Sequence, residues 1–161
     1  MLTLLLALQL AILHPKPFSH YGPRETAHSY IVVHSTESCG SPASVLSYLR
    51  STKKSYHYLV ERDGTTVQMV DPYWQGKHAG LSVYKGMVHW NRFSIGISFH
   101  QCKDQPFTDK QYRSGRLLVE YLEKKYPDIN STRIVTHHQI SLFRGKKDPG
   151  PLFDMSRILP P

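Results

Sequence analysis

Two histidines in this sequence each close an apolar, β-branched run. His34 ends Ser29-Tyr30-Ile31-Val32-Val33, and His137 ends Arg133-Ile134-Val135-Thr136. Such runs read as buried strands. If the two strands are neighbours, both imidazoles aim at one point above the sheet edge. Taken singly, either residue reads as a hydrogen-bonded histidine at a strand end. Asp148 lies eleven residues beyond His137, within Lys146-Lys147-Asp148-Pro149-Gly150. Two His and one carboxylate leave a fourth position open on Zn2+, which is the pattern of a catalytic rather than a structural site.

The elements that must position these residues can be traced along the chain. Residues 14–28 are rich in Pro, His and polar side chains and read as a linker or extended arm. Ser41 followed by Pro42 marks a helix start, running to about Lys53. Tyr56 to Arg62 and Thr65 to Val70 flank Asp63-Gly64, a strong hairpin signal. Residues 71–93 show no periodicity and read as a long irregular loop, a feature that is usually functional in a compact domain. Ser94 to Phe99 is another strand. Thr108 and Gln111 form a capping box for the longest helix, whose apolar stripe is Leu117, Leu118, Tyr121 and Leu122 and which stops before Pro127. Thr132 to His137 reads as the last strand, with one short helix near the end of the chain. The pattern is α/β, a central sheet with helices packed on it.

The 161 residues suit one compact domain, and a chain of this size folds without needing a disulfide or metal. A hydrophobic share of 40% with 20% charged residues excludes a disordered chain. Two Cys cannot build a disulfide scaffold or a four-thiolate zinc site. The charge of +8 raises nucleic-acid binding, but the basic residues are scattered and form no recognisable motif, so no nucleic-acid partner is expected. Ten His offer many ligands and proton carriers, and composition alone does not choose among them.

The first charged residue is Lys16, and the run Leu2 to Leu13 before it is apolar. That run suits a signal-peptide core and falls short of the ~20 residues that span a bilayer. Residues 1–20 are therefore read as a signal peptide or an N-terminal apolar tether, and 21–161 as a single catalytic domain. The expected location is outside the cytoplasm, secreted, periplasmic or in the cell envelope. Membrane contact is expected only through an uncleaved N-terminal segment.

Several motifs, in order, resemble the zinc N-acetylmuramoyl-L-alanine amidases, a superfamily that includes the peptidoglycan recognition proteins. They are Ile31-Val32-Val33-His34-Ser35-Thr36, Ser55-Tyr56-His57-Tyr58-Leu59-Val60 leading to Asp63-Gly64, and His78-Ala79-Gly80. Asn91 ahead of Ser94-Ile95-Gly96-Ile97, Thr136-His137-His138-Gln139-Ile140 and Lys146-Lys147-Asp148-Pro149-Gly150-Pro151 continue the match. The resemblance covers about residues 29–158. It implies a central mixed β-sheet flanked by helices, with a zinc site at one end of the sheet, and zinc held by His34, His137 and Asp148. The implied reaction is hydrolysis of the amide between N-acetylmuramic acid and L-Ala of the stem peptide, in peptidoglycan or muropeptides, by a monomer. A peptidoglycan-binding protein without catalysis is the alternative.

Zinc lowers the pKa of a water toward ~7 and polarises a carbonyl, which agrees with that reaction. The oxyanion formed needs a cation or hydrogen-bond donor beside it. Lys146 matches the position that supplies this in the family. Recycling-type members carry Glu where this chain has Ser98, and a serine has no useful pKa near neutrality. Other members carry a Tyr on the second strand, matched here by Tyr56, which becomes the candidate to orient water or assist proton movement. His78, Ala79 and Asn91 match substrate-facing positions. His138 is expected to point away from the metal. Cys39 and Cys102 would bridge the rim of the site if the strands preceding them are parallel neighbours.

Overall fold

The computed structural model describes residues 12–16, 18–24 and 26–160. Its elements, in chain order, are β1 (Ile12–Leu13), β2 (His20–Pro23), β3 (Tyr30–Ser35), α1 (Pro42–Ser51), β4 (Tyr58–Val60), β5 (Thr66–Gln68) and β6 (Trp74–Gly76). There follow β7 (Val83–Tyr84), β8 (Met87–Val88), β9 (Ser94–Phe99), α2 (Asp109–Lys125), β10 (Ile134–Thr136) and α3 (His137–Ile140). Six strands form one mixed sheet in the order β1-β5-β4-β9-β3-β10. The hairpin pair β4–β5 is antiparallel and every other pairing in that sheet is parallel.

Alternation along β3 and β9 assigns the two faces. Ile31, Val33, Ile95, Ile97 and Phe99 pack against Tyr112, Leu118, Val119 and Leu122 of α2. On the opposite face Val45 and Leu49 of α1 cover Leu59, Val67 and Met69, while Val32 and Val135 meet Trp90 and Ile140. Buried on both sides, these strands are continuous apolar runs rather than alternating ones. Both helix starts behave as read: Ser41 and Thr108 accept hydrogen bonds from the backbone amides of Ser44 and Gln111.

Three readings change. Residues 71–93 are partly regular: β6 pairs with β2, β7 and β8 form a hairpin, and Trp90–Arg92 is one 3-10 turn. The segment before Tyr30 is not a free linker. β2 is paired, and Arg24 donates to the carbonyl oxygens of Pro72, Asn91, Arg92 and Ser94. His137 is not the last residue of a strand but the first of a helix. Thr136 accepts from the Gln139 amide and Gln139 reaches back to the Thr136 amide, a second capping box that turns the chain one residue early.

The apolar run read as a leader lies, through residue 11, outside the described residues. Beyond it, Ile12 and Leu13 pair in parallel with Thr66 and Val67, and Phe18 is buried beneath the Arg50 guanidinium.

Cys39 and Cys102 form a disulfide, joining the loops that leave β3 and β9. The two strands are parallel neighbours, and their pairing continues outward as Thr36 and Ser38 donate to the carbonyls of Phe99 and Gln101. The bridge closes a loop with a sequence separation of 63, for which chain entropy gives about 4 kcal/mol of stabilisation. Replacing both cysteines by serine should lower the urea-unfolding free energy by roughly that amount. A loss under about 1 kcal/mol would show that the two loops are held without it.

Candidate metal centre and its cleft

β3 and β10 run side by side in register, Ile134 against Ile31 through Thr136 against Val33. Their carboxyl ends therefore present His34, the fifth residue of β3, and His137, the first of α3, at one end of the sheet. Asp148 arrives from the segment after α3, which is latched in place by backbone bonds. The His138 amide donates to the Asp148 carbonyl at 2.9 Å, and the His138 ring Nδ1 donates to the Lys146 carbonyl at 2.7 Å. His138 is exposed and faces away from the cluster, as expected, although helix geometry rather than strand alternation turns it outward.

His34, His137 and Asp148 are 1, 5 and 4% exposed. The Asp148 carboxylate lies 3.1 Å from His34 Nδ1 and 3.0 Å from His137 Nδ1. One ligand atom from each residue lies within 4.8 Å of the others. The far nitrogen fixes the tautomer of His137. His137 Nε2 is 3.1 Å from the Ala79 carbonyl, which only accepts, so this nitrogen carries the proton. His137 Nδ1 is then a bare lone pair facing a carboxylate. His34 Nε2 sits 3.1 Å from His78 Nδ1, a contact that allows the same tautomer, which would aim a second lone pair inward. Three converging electron pairs repel one another unless a cation lies between them. Two neutral imidazoles and a carboxylate fit Zn2+ with one position left open.

The electrostatics favour the ligand forms of His34 and Asp148. Burial, with the neighbouring His137, lowers the His34 imidazole to about 4 despite the pull of Asp148. Burial works to raise the Asp148 carboxyl, but the two imidazoles outweigh it and hold the group well below the usual carboxylate range. His78 is pushed far down by burial and by His34 and His57, so it stays neutral.

His137 and Asp148 of the cluster line the floor of an open cleft of about 800 Å³, with His34 behind them. Tyr56, Lys146, His78 and Ala79 line it. The Tyr56 ring stands 5.0 Å from that of His34, and burial together with the Asp148 charge drives its phenol pKa up. Tyr56 is therefore a proton holder and hydrogen-bond donor near neutrality. Ser98 pairs in register with His34 and is fully buried.

His78, Ala79 and Asn91, expected to face substrate, are mostly buried; His78 and Ala79 line the cleft, and all three also support the His34–His137–Asp148 cluster. Asn91 Oδ1 accepts from the amides of His78 and Ala79, at 3.2 and 2.8 Å, and is not part of the cleft wall. That fixes the Ala79 carbonyl under His137 and the His78 ring against His34. Gly96 completes the support, because a Cβ there would stand 2.5 Å from His78 Cγ.

Two supporting residues escaped sequence reasoning. His57 Nδ1 accepts from the Gly96 amide at 2.8 Å, and Arg24 anchors the backbone on either side of that strand start. Arg24 is buried enough to lower its pKa to about 10. Its carbonyl partners lie 48 to 70 residues away, and its guanidinium also lies 2.8 Å from His57 Nε2, a pattern with no local signal.

The sheet order and a two-imidazole, one-carboxylate cluster at its carboxyl edge define the class. Residues 24–151 match the family model described as N-acetylmuramoyl-L-alanine amidase, and the chain belongs to that family. Among its relatives is the 1,6-anhydro-N-acetylmuramyl-L-alanine amidase AmpD of Haemophilus influenzae, 44% identical over 105 residues, which are 65% of this chain and 56% of that protein. AmpD of Escherichia coli strain K12 is 40% identical over 104 residues, covering 65% of this chain and 56% of the relative. The chain thus spans a little over half the length of these relatives. A crystal structure of an AmpD derivative superimposes with a TM-score of 0.79 at 30% identity, covering 91% of this chain and 92% of the other. The amidase AmiD from E. coli, solved with its substrate, gives 0.74 at 28% identity, covering 81% and 56%.

Gly96→Ala tests the support beneath the cluster. The added methyl should cost about 1–3 kcal/mol of stability by overpacking. By displacing His78 it should also weaken zinc binding at least ~10-fold in a chelator competition. Unchanged zinc affinity in the folded variant would show that His78 does not hold His34.

Proposed function

We propose that this chain is a zinc-dependent amidase that hydrolyses the bond between the lactyl group of N-acetylmuramic acid and L-Ala of the stem peptide. Peptidoglycan or the fragments released from it would be the substrate. The observation that carries this reading is the buried His34–His137–Asp148 cluster at the floor of an open cleft, in a chain of the amidase family. The named relatives are 1,6-anhydro-N-acetylmuramyl-L-alanine amidases, and AmiD was solved with anhydro-N-acetylmuramic acid-L-Ala-D-γ-Glu-L-Lys.

His34, His137 and Asp148 would hold the zinc. When bound, it lowers the pKa of a water and polarises the scissile carbonyl. The protein's residues supply the rest. Lys146, half-buried on the cleft wall, places a fixed positive charge for the oxyanion that develops as the carbonyl carbon becomes tetrahedral. The Tyr56 phenol, kept protonated by burial and Asp148, donates a hydrogen bond from its hydroxyl and orients the attacking water. Water adds across the amide, leaving a carboxylic acid on the lactyl group and a free amine on L-Ala. Ser98 gives no carboxylate to carry the proton. Glu37 is the one other carboxylate lining the cleft among the described residues.

Mass spectrometry of a purified muropeptide incubated with zinc-loaded protein should show free stem peptide, and a chelator should abolish it. His34→Ala should lose both metal and activity. Lys146→Ala should keep its zinc and lose about 10²–10³-fold in kcat. No release by fully loaded protein would favour peptidoglycan binding without catalysis.

We also propose export. The Cys39–Cys102 disulfide is of the kind that persists in oxidising compartments, and the apolar N-terminal run supports the same reading. Removal of a leader at residue 20 would take the buried Phe18 with it, so the packing favours cleavage before Ile12 or an uncleaved tether. Immunoblots of fractionated cells should find the protein outside the cytosol, and a purely cytosolic full-length product would contradict this.

A further inference from the structure

The cleft is asymmetric in charge. Lys53, Lys54, Lys77, Lys103 and Lys146 line it, whereas its carboxylates are Glu37 and the metal-side Asp148. None of those five lysines has a carboxylate within ion-pair distance among the described residues. Isolated surface lysines are ordinary. Among the five, Lys77 differs in that its ammonium rests on an aromatic ring.

Its backbone amide donates to Ser55 Oγ at 3.0 Å, which ties it to the residue before Tyr56. Its ammonium sits 4.8 Å from the centre of the Tyr21 ring, supplied by the paired arm strand β2. The next residue, His78, contacts the ligand His34. Lys77 is therefore half-buried, positioned by two other segments and one residue from the support of the metal cluster. A cation fixed in this way suits a carboxylate a short distance along a bound peptide.

A γ-linked glutamate following L-Ala keeps its α-carboxylate free. In an extended stem, that group lies about 7 Å from the scissile amide. We propose that Lys77 is a specificity-determining residue that binds this α-carboxylate, so that the protein prefers stem peptides carrying the free acid over those amidated there. Lys77 takes no part in bond breaking. The proposal rests on the amidase reading for the identity of the peptide.

The test uses zinc-loaded protein and two synthetic ligands, anhydromuramyl-L-Ala-D-γ-Glu-L-Lys and the same compound with the α-carboxylate as an amide. The free acid should have the lower KM by about fivefold, the size expected of one partly screened ion pair, with kcat similar for both. Lys77→Gln should bring the two KM values within about twofold, and Lys77→Glu should reverse the order. Raising the salt concentration should erode the wild-type preference. Equal KM values for the two ligands in the wild type would overturn the proposal, as would a preference that survives both substitutions. If neither ligand is cut, the amidase reading fails instead, and calorimetric titration of the same pair still reads the preference directly.

Discussion

The structure is organised around an electrostatic conflict. Two imidazoles and a carboxylate converge within 4.8 Å in a buried place, an arrangement that a cation bound between them makes favourable. Nothing local in the chain brings these groups together, since His34 and Asp148 are 114 residues apart. Their meeting depends on β3 and β10 lying in parallel register and on the segment carrying Asp148 being latched to α3. The apolar faces of the sheet fix the register, because a slip by one residue would send His34 to the α2 side.

A layer of neutral groups holds the ligands from behind. Asn91 fixes the backbone that presents the Ala79 carbonyl and the His78 ring, Gly96 leaves room for that ring, and His57 accepts from the Gly96 amide. Arg24, a cation, closes the layer by binding the carbonyls of Pro72, Asn91, Arg92 and Ser94. Such outer contacts set ring orientation and tautomer, and with them the direction of the lone pair offered to a metal. The family match begins at Arg24, the point at which this support begins.

Much of this was legible in the sequence. The β-branched runs, the Asp63-Gly64 hairpin, the Ser41-Pro42 and Thr108-Gln111 helix starts and the three residues of the cluster all follow from local signals or from motifs in order. Thr136 and Gln139 carried the same capping signal as Thr108 and Gln111, but the apolar run ahead of His137 masked it, and the strand ends one residue sooner than its hydrophobicity suggests. Asn91, His78 and Ala79 stand near the reactive centre, yet spacing could not say on which side of the ligands they lie. Arg24 and β2 were illegible because their partners are distant backbone carbonyls, which leave no trace in side-chain pattern. Ser98 remains the chain's own departure: it occupies the position paired with His34 and brings no ionisable group to it.

The cleft above the cluster combines a floor that fits a metal, a protonated Tyr56 and a lysine-rich wall, and the proposed chemistry needs the metal before the others matter. X-ray absorption at the zinc edge on the loaded protein tests it most directly. The account predicts two imidazole nitrogens and one carboxylate oxygen, all at about 2.0–2.2 Å, with one further light scatterer from solvent or substrate. A protein that retains no zinc, or a first shell containing fewer than two imidazoles, would contradict it.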